Sequence, residues 1–130
     1  MLKFKNISNN DDYKDELNNC VVIALTEVTN DNFCYNTIKF FVRHVMNRTK
    51  NNSVLYGEIL GAKKLFKNIE LNYKKIKISS KETLKTFGEK NNTGKYLLIV
   101  DGHMTALING YIHDTYFDED QKLLYAIKVD

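Results

Sequence analysis

The chain has 130 residues, a formal net charge of +3 and no proline or tryptophan. This length suits one domain, residues 1–130, and no apolar run approaches the roughly 20 residues that a membrane-spanning helix needs. With 43% hydrophobic and 27% charged residues, the composition is that of a globular protein rather than a disordered or fibrous one. We therefore expect neither a membrane partner nor a second domain.

The first residues, MLKFKNISNNDDYKDEL, lack the long apolar segment of a secretory signal. We therefore expect a cytoplasmic protein in which Cys20 and Cys34 stay reduced instead of forming a disulfide. Residues 61–95 carry ten Lys and three Glu, whereas residues 96–130 carry two Lys and six acidic residues. Because the lysines alternate with apolar residues, we interpret them as a solvated face and do not expect a nucleic-acid partner.

The stretch NNCVVIALTEVT predicts a short buried helix. It opens with Asn18 and Asn19, both of which are favoured N-cap residues, and places Cys20 in the first turn. A thiol at this position is more acidic than usual, because the unpaired N–H groups give the helix N-terminus a partial positive charge. The same N–H groups can donate to a developing oxyanion.

Further helices and one strand are predicted before residue 95. They are helices over about 33–47 and 53–67, a strand over 73–78, and a short helix in KETLKTFGEK that Ser79 or Ser80 caps. Four β-prone runs then follow: KYLLIV, HMTALI, YIHDTYF and LLYAIKV. Their separators, Asp101-Gly102, Asn109-Gly110 and DEDQ, favour tight turns. The sequence thus predicts an α+β domain with N-terminal helices and a C-terminal antiparallel meander.

The Asn109-Gly110 turn determines which side chains share a face of the predicted hairpin. A two-residue loop places His103 and Asp114 on one face as diagonal neighbours, roughly 7–8 Å apart, a separation that an imidazole and a carboxylate can bridge. On this register His113 points to the other face and has no acid to orient it. A histidine held by a carboxylate is half of a nucleophilic site, and Cys20 is the best candidate for the other half.

The order of these residues resembles the papain-like cysteine peptidase superfamily. NNCVVIAL and SSKETLKTFGEKNNTGKYLLIVDGHMTALINGYIHDTYFD are similar to a group of small papain-like proteins common in bacteriophage genomes. The resemblance covers the first helix and most of residues 79–118. It implies that Cys20 is the nucleophile, that His103 is the general base and acid, and that Asp114 orients His103.

The resemblance also carries expectations about substrate and surroundings. The papain pattern has a Gln several residues before the cysteine, and because DYKDELNN contains none, Asn18 or Asn19 is the expected substitute at the oxyanion. A peptide or protein substrate, no cofactor and no metal are implied. For a phage-encoded chain, the host cytoplasm and a host protein partner are implied as well. Peptidases, deamidases, amide-forming transferases and inactive relatives all reuse this scaffold.

Several alternatives stay open at this stage. Acyl transfer or deamidation would use the same site, whereas a non-catalytic protein would bind a host protein or nucleic acid through the lysine-rich segment. Asp118 has the same parity as Asp114 and is a second candidate for the orienting acid. We interpret Cys34 as a packed thiol and His44 as a surface or partly buried residue. A zinc site built from the cysteines and histidines lacks the usual ligand spacing.

Overall fold

A six-stranded mixed sheet with helices on both faces makes up most of the structure, a computed structural model that describes residues 2–15, 19–29, 33–44, 66–67 and 71–129. The helices are a 3-10 turn at Asp11–Lys14, α1 (Cys20–Val28), α2 (Tyr35–His44) and α3 (Leu84–Lys90). The strands are β1 (Lys3–Asn6), β2 (Tyr73–Ile76), β3 (Lys95–Val100), β4 (His103–Ile108), β5 (Tyr111–Asp114) and β6 (Tyr125–Val129). None of the described helices has the length and apolar character needed to cross a membrane.

The strand order is β1-β5-β4-β3-β6-β2, so the predicted α+β class is confirmed and the predicted meander only in part. Strands β3, β4 and β5 follow one another as antiparallel neighbours. The fourth predicted strand, β6, instead returns to the other side of β3 and lies between β3 and β2. Ala126, Ile127 and Val129 are all buried, and a strand buried on both faces is stabilised by having neighbours on both edges.

Strand β1 was not expected from the sequence. It joins the edge of the sheet beside β5 in parallel orientation, with Asn6 paired to Asp114. Because a parallel pair brings together residues that are far apart in sequence, no local turn motif predicts the pairing. The N-terminal part of the chain is therefore not purely helical.

Two apolar layers hold the sheet between helices. Met104 and Ala106 of β4 face α1 and α2, whereas Leu107 of the same strand faces α3. This alternation follows from the two-residue period of a strand, and it explains why β3 and β4 read as nearly continuous apolar runs. The two faces of β4 and β5 consequently present different environments to neighbouring residues.

The hairpin that carries the candidate residues has the predicted register. Leu107 pairs with Ile112, as a two-residue loop requires. Asn109 and Gly110 have φ values of 50° and 84°, which lie in the left-handed region that such a turn needs. Gly102, in the turn between β3 and β4, has a φ of 70°.

The boundaries of the predicted helices are partly corrected. The helix predicted over 33–47 is α2, and residues 45–47 lie outside the described residues. Of the helix predicted over 53–67, only 66 and 67 are described, and both are helical. The strand predicted over 73–78 is β2 and ends at Ile76.

The cap of α3 is Thr83, not Ser79 or Ser80. The Thr83 side chain accepts a hydrogen bond from Thr86 N, and the Thr86 hydroxyl accepts one from Thr83 N. This reciprocal pair satisfies two backbone donors at the helix start, which a serine three or four residues earlier cannot reach. Ser79 serves a turn instead, with its hydroxyl accepting from Lys81 N.

Candidate active site

Cys20 is the first residue of α1 and is partly buried. The first hydrogen bond of the helix runs from Ile23 N to Asn19 O at 2.9 Å. The N–H groups of the first turn therefore have no acceptor within the helix and face outward at its N-terminus. The thiol thus lies in the positive end of the helix dipole, as the sequence predicted.

His103 and Asp114 form a buried hydrogen-bonded pair. His103 Nε2 lies 2.6 Å from Asp114 Oδ2, and the two residues are 8% and 3% exposed. His103 begins β4 and Asp114 ends β5, so the hairpin register brings them to one face. The other carboxylate oxygen, Oδ1, accepts a hydrogen bond from Thr115 N at 2.7 Å. Asp114 is therefore fixed by its own backbone while it orients the imidazole.

Cys20 lies close enough to His103 to interact with it electrostatically. Burial alone lowers the pKa of His103, but the hydrogen bond with Asp114 and the interaction with Cys20 raise it to about 9. The imidazole is therefore protonated at neutral pH. Because Nε2 is engaged by Asp114, Nδ1 is the ring nitrogen left to exchange a proton with the thiol.

Tyr116 covers this group from the solvent side. Its ring centroid lies 5.1 Å from that of His103, and its side chain is 58% exposed. Burial, together with the negative charges of Asp114 and Cys20, raises the pKa of Tyr116. The hairpin register predicted from the sequence places Tyr116 opposite His103 on the face of Asp114, but the residue was not included among the candidate site residues.

Asn19 does not have the geometry expected of an oxyanion donor. It is 8% exposed, and its Nδ2 donates to Tyr13 O and to Tyr35 OH, both at 3.1 Å. Both amide hydrogens are thus engaged, which leaves none for a substrate oxygen. Asn18 lies outside the described residues. The oxyanion donors that the geometry offers are the backbone N–H groups at the start of α1.

The expectation that His113 has no acid is wrong. His113 Nδ1 lies 2.8 Å from Glu27 Oε1, and the other carboxylate oxygen of Glu27 accepts from the Tyr13 hydroxyl. Burial opposes ionisation of Glu27, but the hydrogen bonds from His113 and Tyr13 prevail and lower its pKa. The hairpin register placed His113 correctly on the face of Ala106. Its partner was missed because Glu27 comes from α1, 86 residues away in sequence.

The remaining candidate residues lie apart from this group. Cys34 is exposed rather than packed, and its pKa is lowered by hydrogen bonding to Thr37, whose Oγ1 lies 3.3 Å from Sγ. Asp118 is exposed and accepts from Asp120 N, so it serves its own turn. The side chain of His44 lies outside the described residues. Within the described ranges, no group of three or more His, Cys, Asp or Glu side chains could hold a metal ion.

The lysines of β2 occupy an edge of the sheet. Lys74 and Lys75 are exposed, and Lys75 Nζ lies 5.4 Å from the Tyr125 ring centroid. Charged residues on an edge strand deter unwanted pairing with other chains. This position agrees with the interpretation of these lysines as a solvated face.

Comparison of the chain with protein-family models, curated proteins and solved structures finds no match.

Proposed function

We propose that the chain is a papain-like thiol hydrolase, a cysteine peptidase with Cys20 as nucleophile, His103 as general acid and base, and Asp114 as the orienting residue. One observation carries the proposal: a thiol at a helix N-terminus lies beside a histidine that a buried carboxylate holds at 2.6 Å, close enough to influence the pKa of that histidine. Structural cysteines and histidines do not need this arrangement, whereas acyl transfer to sulfur does.

The reaction follows from the positions of the groups. The Cys20 thiolate attacks the substrate carbonyl carbon, and the developing oxyanion accepts hydrogen bonds from N–H groups at the start of α1. The His103 imidazolium gives its proton to the leaving amine, which departs and leaves a thioester. A water then loses a proton to His103 and attacks the thioester. This step releases the carboxylic acid, and Cys20 returns to its starting state.

Asp114 acts on this cycle through His103. By engaging Nε2 it holds the ring with Nδ1 toward the thiol, and it stabilises the charged imidazolium. Acyl transfer to an amine and deamidation would use the same groups and differ only in the acceptor or the leaving group. The alternative of a non-catalytic binding protein requires neither the His103–Asp114 bond nor the position of Cys20 beside His103.

The pH dependence of thiol alkylation tests the proposal without a known substrate. In a Cys34→Ser background, we expect iodoacetamide to alkylate Cys20 at pH values well below the ordinary thiol pKa of about 8.5. His103→Ala should abolish this reaction at low pH, because the imidazolium that stabilises the thiolate is lost. Labelling followed by mass spectrometry measures both rates at Cys20.

A Cys20 that reacts only as an ordinary thiol, whether or not His103 is present, would refute the hydrolase and favour the non-catalytic alternative. If the thiol is reactive, a peptide library incubated with wild type and with Cys20→Ser identifies the reaction. Cleaved peptides indicate a peptidase, loss of side-chain amides indicates a deamidase, and conjugates formed with added hydroxylamine indicate transfer to amines.

A further inference from the structure

The residue before the nucleophile has unusual contacts for a helix N-cap. Asn19 occupies that position, but its side chain makes no capping hydrogen bond to α1. Its amide is instead buried and donates to two oxygens outside the helix, the Tyr13 carbonyl and the Tyr35 hydroxyl. A buried amide that forgoes the cap for two long-range bonds ties the start of the helix to its surroundings.

Those two oxygens belong to elements that are themselves fixed. Tyr13 lies in the 3-10 turn, and its ring packs against that of Tyr35, the first residue of α2, at a centroid distance of 5.5 Å. The Tyr13 hydroxyl donates to Glu27 in the last turn of α1, and Glu27 is bonded to His113. Tyr13 therefore contacts both ends of the helix that carries the thiol.

The same contacts connect the thiol helix with the strand that carries the orienting acid. His113 is the residue before Asp114 on β5, so α1 is tied through Glu27 to that strand. At its other end, α1 is held through Asn19, directly before Cys20. A shift of either end would change the distance between the sulfur and His103. Misplacement by about 1 Å can change reactivity a hundredfold.

We propose that Asn19 is a positioning residue that sets the location of the Cys20 thiol relative to His103 by binding the Tyr13 carbonyl and the Tyr35 hydroxyl. The inference rests on the proposed function, because it concerns the reactive pair of that site. It assigns Asn19 a role that does not involve contact with the substrate.

Asn19→Ser tests this role because serine favours helix N-caps but is too short to reach both oxygens. The measured quantity is the ratio of the Cys20 alkylation rates near pH 6 and near pH 10, in a Cys34→Ser background. We expect the ratio to fall about tenfold, because a displaced thiolate is stabilised less by the His103 imidazolium. Tyr35→Phe, which removes one of the two acceptors, should lower the ratio by a smaller factor.

Thr29→Val is the matched control. Thr29 is buried at the other end of α1, where its hydroxyl donates to Leu25 O at 2.6 Å, so the variant also loses a buried hydrogen bond. We expect it to lower the melting temperature and to leave the rate ratio unchanged. This contrast separates positioning of the thiol from general loosening of the helix.

Each outcome bears on the proposal. A wild-type ratio in Asn19→Ser, or an equal fall in Thr29→Val, would overturn the positioning role while leaving the hydrolase intact. If Asn19→Ser does not fold, Tyr35→Phe decides, and a wild-type ratio in that variant overturns the role. If Cys20 of the unmutated site is alkylated with the pH dependence of an ordinary thiol, both the hydrolase and the positioning role are overturned.

Discussion

At the scale of single residues, the two histidines of one hairpin show how environment determines role. His103 and His113 lie on opposite faces, and each is bonded to a carboxylate at 2.6 and 2.8 Å respectively. The difference lies in the third group: a thiol beside His103, and a tyrosine hydroxyl that shares the acid of His113. A histidine–carboxylate pair alone therefore does not identify a candidate catalytic histidine. A nucleophile beside the imidazole is also needed.

The protonation of His103 can be measured directly. We expect its imidazole to titrate with a midpoint at about 9 in an NMR pH titration of the ring protons. Asp114→Asn should move the midpoint down by at least one unit, because burial, which opposes the charge, then acts without the carboxylate. Asp118→Asn, which removes the exposed second candidate acid, is the control and should leave the His103 midpoint in place. An Asp114→Asn variant that still titrates near 9 would contradict the assigned pair.

At the scale of elements, local signals were sufficient where a turn fixes the geometry. Asn109-Gly110 predicted the β4–β5 hairpin and its register, and this register alone brought His103 and Asp114 to one face. The helix that begins at Cys20 was likewise predicted from the residues at its N-terminus. The hairpin, the start of α1 and the three candidate site residues could thus be inferred from short stretches of sequence.

Contacts between distant segments escaped prediction. The parallel pairing of β1 with β5 and the return of β6 to β3 join segments without a turn between them. The bonds from Glu27 to His113 and from Asn19 to Tyr35 are of the same kind, since each depends on how α1 lies against other elements. A propensity pattern predicts the secondary structure of a segment but not the segment with which it pairs or packs.

Substitution of the glycines in the two hairpin turns should lower the stability of the protein. We expect Gly102→Ala to destabilise the protein by about 1–2 kcal/mol, because alanine is strained at positive φ. A Cβ there has open space around it, so the backbone strain is the only cost. Gly110→Ala should cost a similar amount, because its φ of 84° imposes the same strain and its Cβ would lie in ordinary contact with Asn92 at 3.4 Å. Urea unfolding measures both, and a neutral Gly102→Ala would contradict the left-handed turn.

At the scale of the whole molecule, the paired acids and histidines shape stability as a function of pH. His103 has a pKa raised from 6.5 to about 9, so its contribution is complete below about pH 6.5 and is lost as the pH rises through 9. Glu27 has a lowered pKa, so its contribution is present above about pH 4.5 and is lost as the pH falls further. The free energy of unfolding is therefore greatest between the pH ranges in which these two contributions are lost.

We therefore expect the free energy of unfolding to be greatest between about pH 5 and 6.5. It should decline on the alkaline side by an amount on the order of 2 kcal/mol up to about pH 9. Denaturant titrations at a series of pH values measure the profile. Asp114→Asn should flatten the alkaline decline, and Glu27→Gln should flatten the acid one. A maximum above pH 8 would show that His103 is not stabilised in its charged form.

The central place of β6 bears on the order in which the sheet forms during folding. Residues 125–129 fill the gap between β3 and β2, and Ile127 packs on the same side of the sheet as α1. Because β6 pairs with β2 and β3 without a local turn between them, its docking costs loop-closure entropy before the contacts stabilise the sheet. We therefore expect the sheet that supports α1 to be completed late in folding, after the local β3–β4 hairpin has formed.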